Sequence, residues 1–304
     1  EGRNLIPVTD KDLTELDKWI YSRLDNAVKT CRSALEGYRY NDGASALYEY
    51  FWTEFCDWYV EGTKLSFWNG DDAEKDRAAS VLLFILEESL RLLHPYLPFV
   101  TEEIYQKLPL VEIAQNRKKA CENKIISNSQ YTGMLIAAPY PDVIDERNDK
   151  NVQDRFAVLQ EVIRLVRQLR AECGISPDMK LHIALQITSG SSAEVCKEKT
   201  DLIQLLAGIA KIDFVDAKPN GTIGTVGTGF EAFIFIEGSI DSAQLKTRFE
   251  KELNSEKAFI AKVDAKLAGK FAQNAPKEVV EAEKEKREVA NRLVQKLTSY
   301  LESL

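Results

Sequence analysis

The chain contains few residues that could bind a metal ion or form a disulfide. Its only histidines, His94 and His182, lie among apolar residues. Its five cysteines are far apart and include no Cys-x-x-Cys pair, which is the spacing that zinc sites use. We therefore expect no metal site, and unpaired cysteines are typical of the reducing cytoplasm.

Long apolar runs are scarce as well. No stretch approaches the roughly 18 consecutive apolar residues of a membrane span, so we expect none. The first residues lack the basic and apolar regions of a secretory signal. They also lack an initiator methionine, which suggests a fragment. A hydrophobic content of 44% in 304 residues nevertheless predicts two or three folded domains.

The chain also has no excess of positive charge, since its net charge is −8. This argues against a nucleic-acid partner until the distribution is considered. Residues 239–304 contain 13 Lys and Arg against 11 Asp and Glu, which leaves this segment at +2 and the remainder at −10. A weakly basic segment on an acidic body is compatible with phosphate contacts.

Helical periodicity dominates the first half of the chain. Apolar residues recur at steps of three and four over residues 13–35, and Gly37 follows them, which predicts an amphipathic helix and its end. Residues 44–62 are apolar on nearly all sides, which predicts a helix at the centre of a bundle. Further helices are predicted over residues 74–93 and from Thr101 onward.

These helices define a first domain over residues 1–148, predicted as a helical bundle. Within it, residues 109–133 are rich in Asn, Lys and Ser, and we interpret them as a polar surface insertion. A second domain is predicted over residues 149–237, as a connecting helix followed by a small α/β domain with short strands. Its segment GTIGTVGTG is interpreted as hairpin turns, because neither Lys-Ser/Thr nor a helix follows as a phosphate loop requires.

The third predicted domain, residues 238–304, is helical with one break at residues 269–276. Apolar residues on both sides of the break follow heptad steps. Two such arms predict an antiparallel coiled-coil hairpin roughly 40 Å long, with no heptad partner outside the segment. The predicted fold class is therefore mainly α: a helical bundle, a small α/β domain and a C-terminal hairpin.

The aromatic segment of the bundle allows two interpretations. Phe51, Trp52, Phe55 and Trp58 could stack on nucleic-acid bases, but packing in the core of a central helix is the favoured interpretation. Asp57 lies among these aromatics, and a buried structural acid is favoured there over a catalytic one.

Four motifs resemble class I valyl-tRNA synthetases, in the same order along the chain. They are YRYNDGASALYEYFWTEFCDWYVE (38–61), LLHPYLPFVTEEIYQKLP (92–109), IAAPYPD (136–142) and NAPKEVVEAEKEK (274–286). The resemblance implies the C-terminal part of such an enzyme, with an anticodon-binding bundle and a tRNA-binding coiled coil. The HIGH-like and KMSKS-like signatures of the family are missing, so we expect no ATP site, no cofactor and no activity in this chain. ATP belongs to the full-length enzyme.

The same resemblance assigns site residues and a partner, tRNA(Val), to a chain that we expect to be monomeric. It implies anticodon contacts at Val60, Glu61 and Lys64. It implies contacts to the tRNA elbow at five basic residues: Lys262, Lys266, Lys270, Lys286 and Arg287. Two alternatives stay open: a coiled-coil module that binds a partner protein, and a free-standing enzyme, which would need a titratable cluster that the sequence does not offer.

Overall fold

A computed structural model describes residues 4–188, 190–236, 242–269 and 275–304. It divides into two compact units, the first reaching Leu159 and the second beginning at Gln160. The fold is mainly α with a small sheet and a C-terminal helical hairpin, which confirms the predicted fold class.

The first unit is a bundle of helices whose ends are fixed by local side chains. In chain order it contains α1 (Glu15–Glu36), α2 (Tyr40–Tyr48), a π-helical segment (Glu49–Val60), α3 (Glu61–Asn69), α4 (Asp72–Leu93), α5 (Pro98–Tyr105), α6 (Leu110–Glu122) and the first part of α7 (Lys150–Cys173), with 3-10 turns at Asp10–Asp12, Leu135–Ala137 and Asp145–Arg147. Thr14 and Asp17 form a capping box at the start of α1, and the Asp71 carboxylate accepts the Glu74 N–H at the start of α4. Both caps satisfy N–H groups that a helix leaves unpaired.

The aromatic segment is π-helical and only half buried, which corrects the prediction of a helix at the centre of the bundle. Phe55, Trp58 and Tyr59 are buried, whereas Tyr48 and Trp52 are 65% and 57% exposed. A π-helix has more residues per turn than an α-helix. The apolar residues of this segment therefore form one buried side and one exposed aromatic side.

The stretch predicted as a surface insertion contains α6, which packs one side into the bundle. Arg117 on this helix is completely buried. Its Nη1 lies 2.8 Å from Glu87 Oε2 and its Nη2 lies 3.6 Å from Glu88 Oε1. The prediction of a polar insertion is therefore wrong, because the polar composition of this stretch includes a buried arginine that helps to neutralise two buried acids.

A neighbouring helix also begins earlier than predicted. It starts at Pro98 rather than at Thr101, and proline suits the first position because its missing N–H is not needed there. Thr101 is instead buried, with its hydroxyl 2.8 Å from His94 Nδ1.

The second unit contains a four-stranded mixed sheet. The remainder of α7 leads into β1 (Leu181–Ile187), α8 (Gly190–Glu198), α9 (Thr200–Ala207), β2 (Ile209–Val215), β3 (Thr222–Gly227) and β4 (Phe230–Phe235). The strand order is β2-β1-β4-β3, with β1 parallel to β2 and the other neighbours antiparallel. The glycine-rich segment forms β3 and its turn into β4, as the hairpin interpretation predicts.

The hairpin consists of α10 (Ser242–Ala268) and α11 (Lys277–Ser303). Seven residues are buried along it: Leu245, Phe249, Leu253, Val263, Ala290, Leu297 and Tyr300. Closer to the turn, Glu283 and Arg287 continue the stripe of Ala290 on α11 at steps of three and four. The seam is therefore apolar at the base of the hairpin, and nearer the turn it combines Val263 with charged side chains.

The base of the hairpin is tied to the rest of the second unit. The Tyr300 hydroxyl donates to Glu172 Oε2 over 2.8 Å, and Lys296 Nζ lies 2.6 Å from Glu172 Oε1. Arg248 donates to the Glu172 carbonyl, and Lys218 donates to the Ser303 hydroxyl. The arms thus have contacts outside residues 239–304, although the heptads predict none.

Candidate nucleic-acid interface

The three residues assigned to the anticodon lie together where the π-helical segment meets α3. Val60 is half-buried. Lys64 Nζ lies 2.6 Å from both carboxylate oxygens of Glu61, and both side chains are partly exposed. The two charges therefore neutralise each other beside an apolar side chain, which suits contact with a base better than contact with a phosphate.

The exposed aromatic side continues from this point toward α2. Tyr48, Trp52, Cys56, Val60 and Lys64 follow at steps of four residues, which stay close to one face of a helix. The rings of Tyr48 and Trp52 are 6.4 Å apart and 18° from parallel. Such an exposed stacked pair offers π-faces to unstacked bases.

The sequence interpretation of the aromatic residues is correct for some and wrong for others. Phe55 and Trp58 belong to the core as predicted, whereas Trp52 does not. Tyr48 was not named as a candidate for base stacking, although its spacing of four residues from Trp52 puts both on one face of a helix. Asp57 is exposed, so it is not a buried structural acid; that role falls to Asp17, which accepts from the Tyr59 hydroxyl over 2.7 Å.

On the hairpin, two of the predicted elbow residues share one acid. Glu283 lies 3.2 Å from Lys266 on the opposite arm and 3.0 Å from Lys286 on its own arm. Hydrogen bonds from Lys286 and then Lys266 lower the pKa of the Glu283 carboxyl. Glu283 is thus ionised and holds both cations near the charged part of the seam.

The other predicted elbow residues differ in their surroundings. Arg287 Nε lies 2.5 Å from Asp264 Oδ1 across the arms, which raises the pKa of the guanidinium. Lys262 is exposed and makes no ion pair within the part of the chain that the structure describes. Lys270 lies outside the described residues.

Two cross-arm ion pairs fix the register of the hairpin near its turn. Asp264 faces Arg287, and Lys266 faces Glu283. Lys262 and Lys286 therefore lie within about one helical turn of the same cross-arm pair. These cations are exposed enough to exchange a carboxylate partner for a phosphate, which also favours Arg and Lys.

Neither a metal-binding group nor a membrane-spanning helix is found among the described residues. No group of three or more His, Cys, Asp or Glu among them has the geometry to hold a metal ion. Across the same residues, no helix combines the length and apolar character of a membrane span.

Two protein-family models match this chain, and together they cover most of it. The anticodon-binding domain of tRNA ligases matches residues 17–185. The tRNA-binding arm of valyl-tRNA synthetases matches residues 241–304, which is the hairpin.

Individual relatives agree with both models. The chain is 50% identical to a valine–tRNA ligase of Treponema denticola over 100% of its own length and 33% of the relative's. It is 39% identical to the valine–tRNA ligase of Treponema pallidum and 33% identical to that of Thermotoga maritima, over 99% and 97% of this chain and 32% and 31% of those proteins. The chain thus spans about a third of the length of these relatives. It belongs to the anticodon-binding family of tRNA ligases, and its hairpin matches the tRNA-binding arm of valyl-tRNA synthetases.

Proposed function

We propose that this chain is the tRNA-binding C-terminal region of a cytoplasmic valine–tRNA ligase and that its ligand is tRNA(Val). The observation that carries the proposal is that both matched family models are named for tRNA recognition, one covering the bundle and the other the hairpin. The bundle contacts the anticodon through Val60 and the exposed aromatic side beside it. The hairpin contacts the tRNA elbow through its basic residues.

The role of the chain is recognition without chemistry. In the whole ligase, ATP and valine react in parts of the polypeptide outside this chain. Binding energy gathered at the anticodon and at the elbow places the acceptor end of the tRNA for that reaction. The chain alone binds tRNA as a monomer and activates no amino acid.

Direct binding to tRNA tests the proposal. Purified chain is titrated against a tRNA transcript with a valine anticodon, and against the same transcript with another anticodon. We expect binding that weakens as salt rises, because phosphate contacts release counterions, and a preference for the valine anticodon. Absence of binding at low salt overturns the proposal.

A substitution at Val60 separates anticodon recognition from general affinity. Val60→Asp places a charge where an apolar side chain would meet a base, so we expect it to reduce the preference for the valine anticodon. Val111→Asp is the matched control, because Val111 is exposed in the same unit and outside the candidate interface. If the parent and Val60→Asp prefer the valine anticodon to the same degree, Val60 is not part of the interface.

Size-exclusion chromatography addresses the protein-interaction alternative. A dimer that depends on residues 239–304 would support a coiled-coil module. A monomer that shifts in mobility with tRNA supports tRNA binding.

A further inference from the structure

A second concentration of positive charge lies in the second unit, away from the turn of the hairpin. The loop after α7 and the turn between α9 and β2 form the walls of an open cleft of about 760 Å³. Arg167, Arg170 and Lys180 line it. Within the described part of the chain, no acidic residue lines this cleft.

Arg170 forms the floor of the cleft and carries a buried positive charge. It is 7% exposed, and its guanidinium donates to the carbonyls of Pro177, Met179, Ala207 and Gly208 over 2.7 to 3.1 Å. No carboxylate among the described residues pairs with it, and its buried Nε has no hydrogen-bond partner. Burial, and then the charge of Arg167, lower its pKa. A cation buried among carbonyl groups alone is stabilised when an anion approaches.

Two exposed cations lie at the mouth of the cleft, where a ligand can reach them. The Leu206 carbonyl accepts from Nε and Nη2 of Arg167 over 2.9 and 2.6 Å, which holds the guanidinium in one orientation. Lys180 is exposed and makes no ion pair with any described residue. A fixed guanidinium beside a flexible ammonium is a combination that suits a phosphate group.

The hairpin adds a further cation at the edge of the cleft. Gly174 lines the cleft with φ +69°, and a Cβ added there would come within 2.5 Å of Arg248 Nη1. The absence of a side chain at Gly174 therefore leaves room for Arg248, from the base of α10, next to a residue that lines the cleft. Three cations thus line one cleft and a fourth lies next to its Gly174, although the whole chain has a net charge of −8.

We propose that this cleft binds a phosphate of the RNA backbone, with Arg167 and Lys180 as its direct ligands. The proposal rests on the function proposed above and adds a third contact, at the base of the hairpin rather than near its turn. A backbone phosphate is favoured over a small metabolite because the cleft is open and lined by charge, with little to enclose a specific ligand. Arg170 and Arg248 contribute charge and keep the loop in place.

A double substitution tests the cleft directly. Arg167→Gln with Lys180→Gln removes both ligands, and tRNA affinity is measured by filter binding over a series of salt concentrations. We expect affinity to fall about five- to tenfold at physiological salt and the slope of log affinity against log salt to become shallower by about 1. The control is Arg164→Gln with Lys197→Gln, which removes the same charge from exposed positions of the same unit outside the cleft lining. It should leave the slope unchanged.

Two single variants distinguish the loss of phosphate contacts from a loss of folding. Lys180→Gln alone removes no ion pair within the described residues and should give about half of the change in slope, and Arg167→Lys should restore part of the affinity. If the parent and the double variant bind tRNA with the same slope of log affinity against log salt, the proposed role of the cleft is wrong and the proposed function still holds. A parent that binds no tRNA overturns both.

Inorganic phosphate distinguishes an RNA contact from a general anion site. We expect phosphate to raise the melting temperature of the parent more than that of the double variant. Should phosphate stabilise only the parent while both bind tRNA equally, the cleft would be an anion site without an RNA role, and the assignment to RNA would be wrong.

Discussion

The bundle and the hairpin both use ion pairs, but in opposite surroundings. In the bundle, Glu87 pairs with Arg91 at 2.6 Å and with Arg117 at 2.8 Å, and none of the three side chains is more than 1% exposed. In the hairpin, Lys266 and Lys286 pair with Glu283 while their own side chains remain 43% and 60% exposed. The chemistry of the pairs is the same, and the access of water differs.

This difference separates structural charge from charge that can bind a ligand. A buried ion pair has no water to replace a lost partner, so removing one member leaves an uncompensated charge. An exposed pair exchanges its partner for water or for another ion at little cost. The Glu87 network therefore locks its charges into the fold of the bundle, whereas Lys266 and Lys286 beside Glu283 stay available for phosphate.

The largest expected effect is the loss of stability when Arg117 is replaced. Arg117→Ala leaves Glu87 and Glu88 buried with too little positive charge, and burial together with Glu87 already raises the pKa of Glu88. We expect the free energy of unfolding to fall by about 3–5 kcal/mol, measured by urea denaturation of the whole chain. Lys118→Ala, on the exposed side of the same helix, should change it little. A loss below about 1 kcal/mol for Arg117→Ala would show that the network is not structural.

The next effect is a pH dependence confined to the bundle. Burial raises the pKa of the Asp25 carboxyl to about 6, against the opposing charge of Arg147. Between about pH 4 and 6 the folded chain therefore binds a proton that the unfolded chain has lost, and the contribution of Asp25 to stability falls as pH rises.

Comparing Asp25→Asn with the parent isolates the pH-dependent contribution of Asp25 to the free energy of unfolding. Relative to the parent, the variant should gain about 2 kcal/mol of unfolding free energy from pH 4 to pH 7. Asp57→Asn, at an exposed position, should show no such trend. Parallel pH curves for the parent and Asp25→Asn would mean that the folded environment of Asp25 does not penalise its charge.

Regular periodicity is what made most of the fold predictable. The heptads gave both arms of the hairpin, and Gly174, at φ +69°, ends α7 as the glycine rule predicts. The π-helical segment could not be predicted, because its steps of four residues also fit an α-helix. The role of Arg117 was hidden for a different reason: burial of an arginine depends on acids some 30 residues away in sequence, which local composition does not reveal.

The candidate site was predictable only through resemblance. Val60 carries no signal of its own, and lysines on a coiled coil are usually just solvated. The cleft around Arg170 was not anticipated either. Its lining joins α7 to the turn after α9, and no motif marks residues that only tertiary structure brings together.

Reversing two hairpin charges should give a smaller effect, seen in binding rather than in stability. Lys262→Glu with Lys286→Glu turns two attractions into two repulsions, so tRNA affinity should weaken by more than about tenfold. The loss should be similar for different elongator tRNAs, since phosphates carry no sequence code. Lys118→Glu with Lys119→Glu is the charge-matched control on the bundle. If the hairpin variant binds like the parent, the hairpin has only a structural role.

The smallest expected effect is a change in tRNA affinity, and it tests most directly whether the hairpin lysines can exchange a carboxylate for a phosphate. Glu283→Gln removes the acid shared by Lys266 and Lys286 but keeps a side chain of the same size. Because both lysines are largely exposed, the midpoint of urea unfolding should barely move. Affinity for tRNA should instead rise about two- to fivefold and depend more steeply on salt, since the variant removes a carboxylate that competes with phosphate for both lysines. Glu281→Gln, whose partner Lys284 is one turn away on the same arm, is the control and should bind as the parent does. A marked loss of stability in Glu283→Gln with unchanged affinity would place this charge with those of the bundle, as part of the fold rather than of the interface.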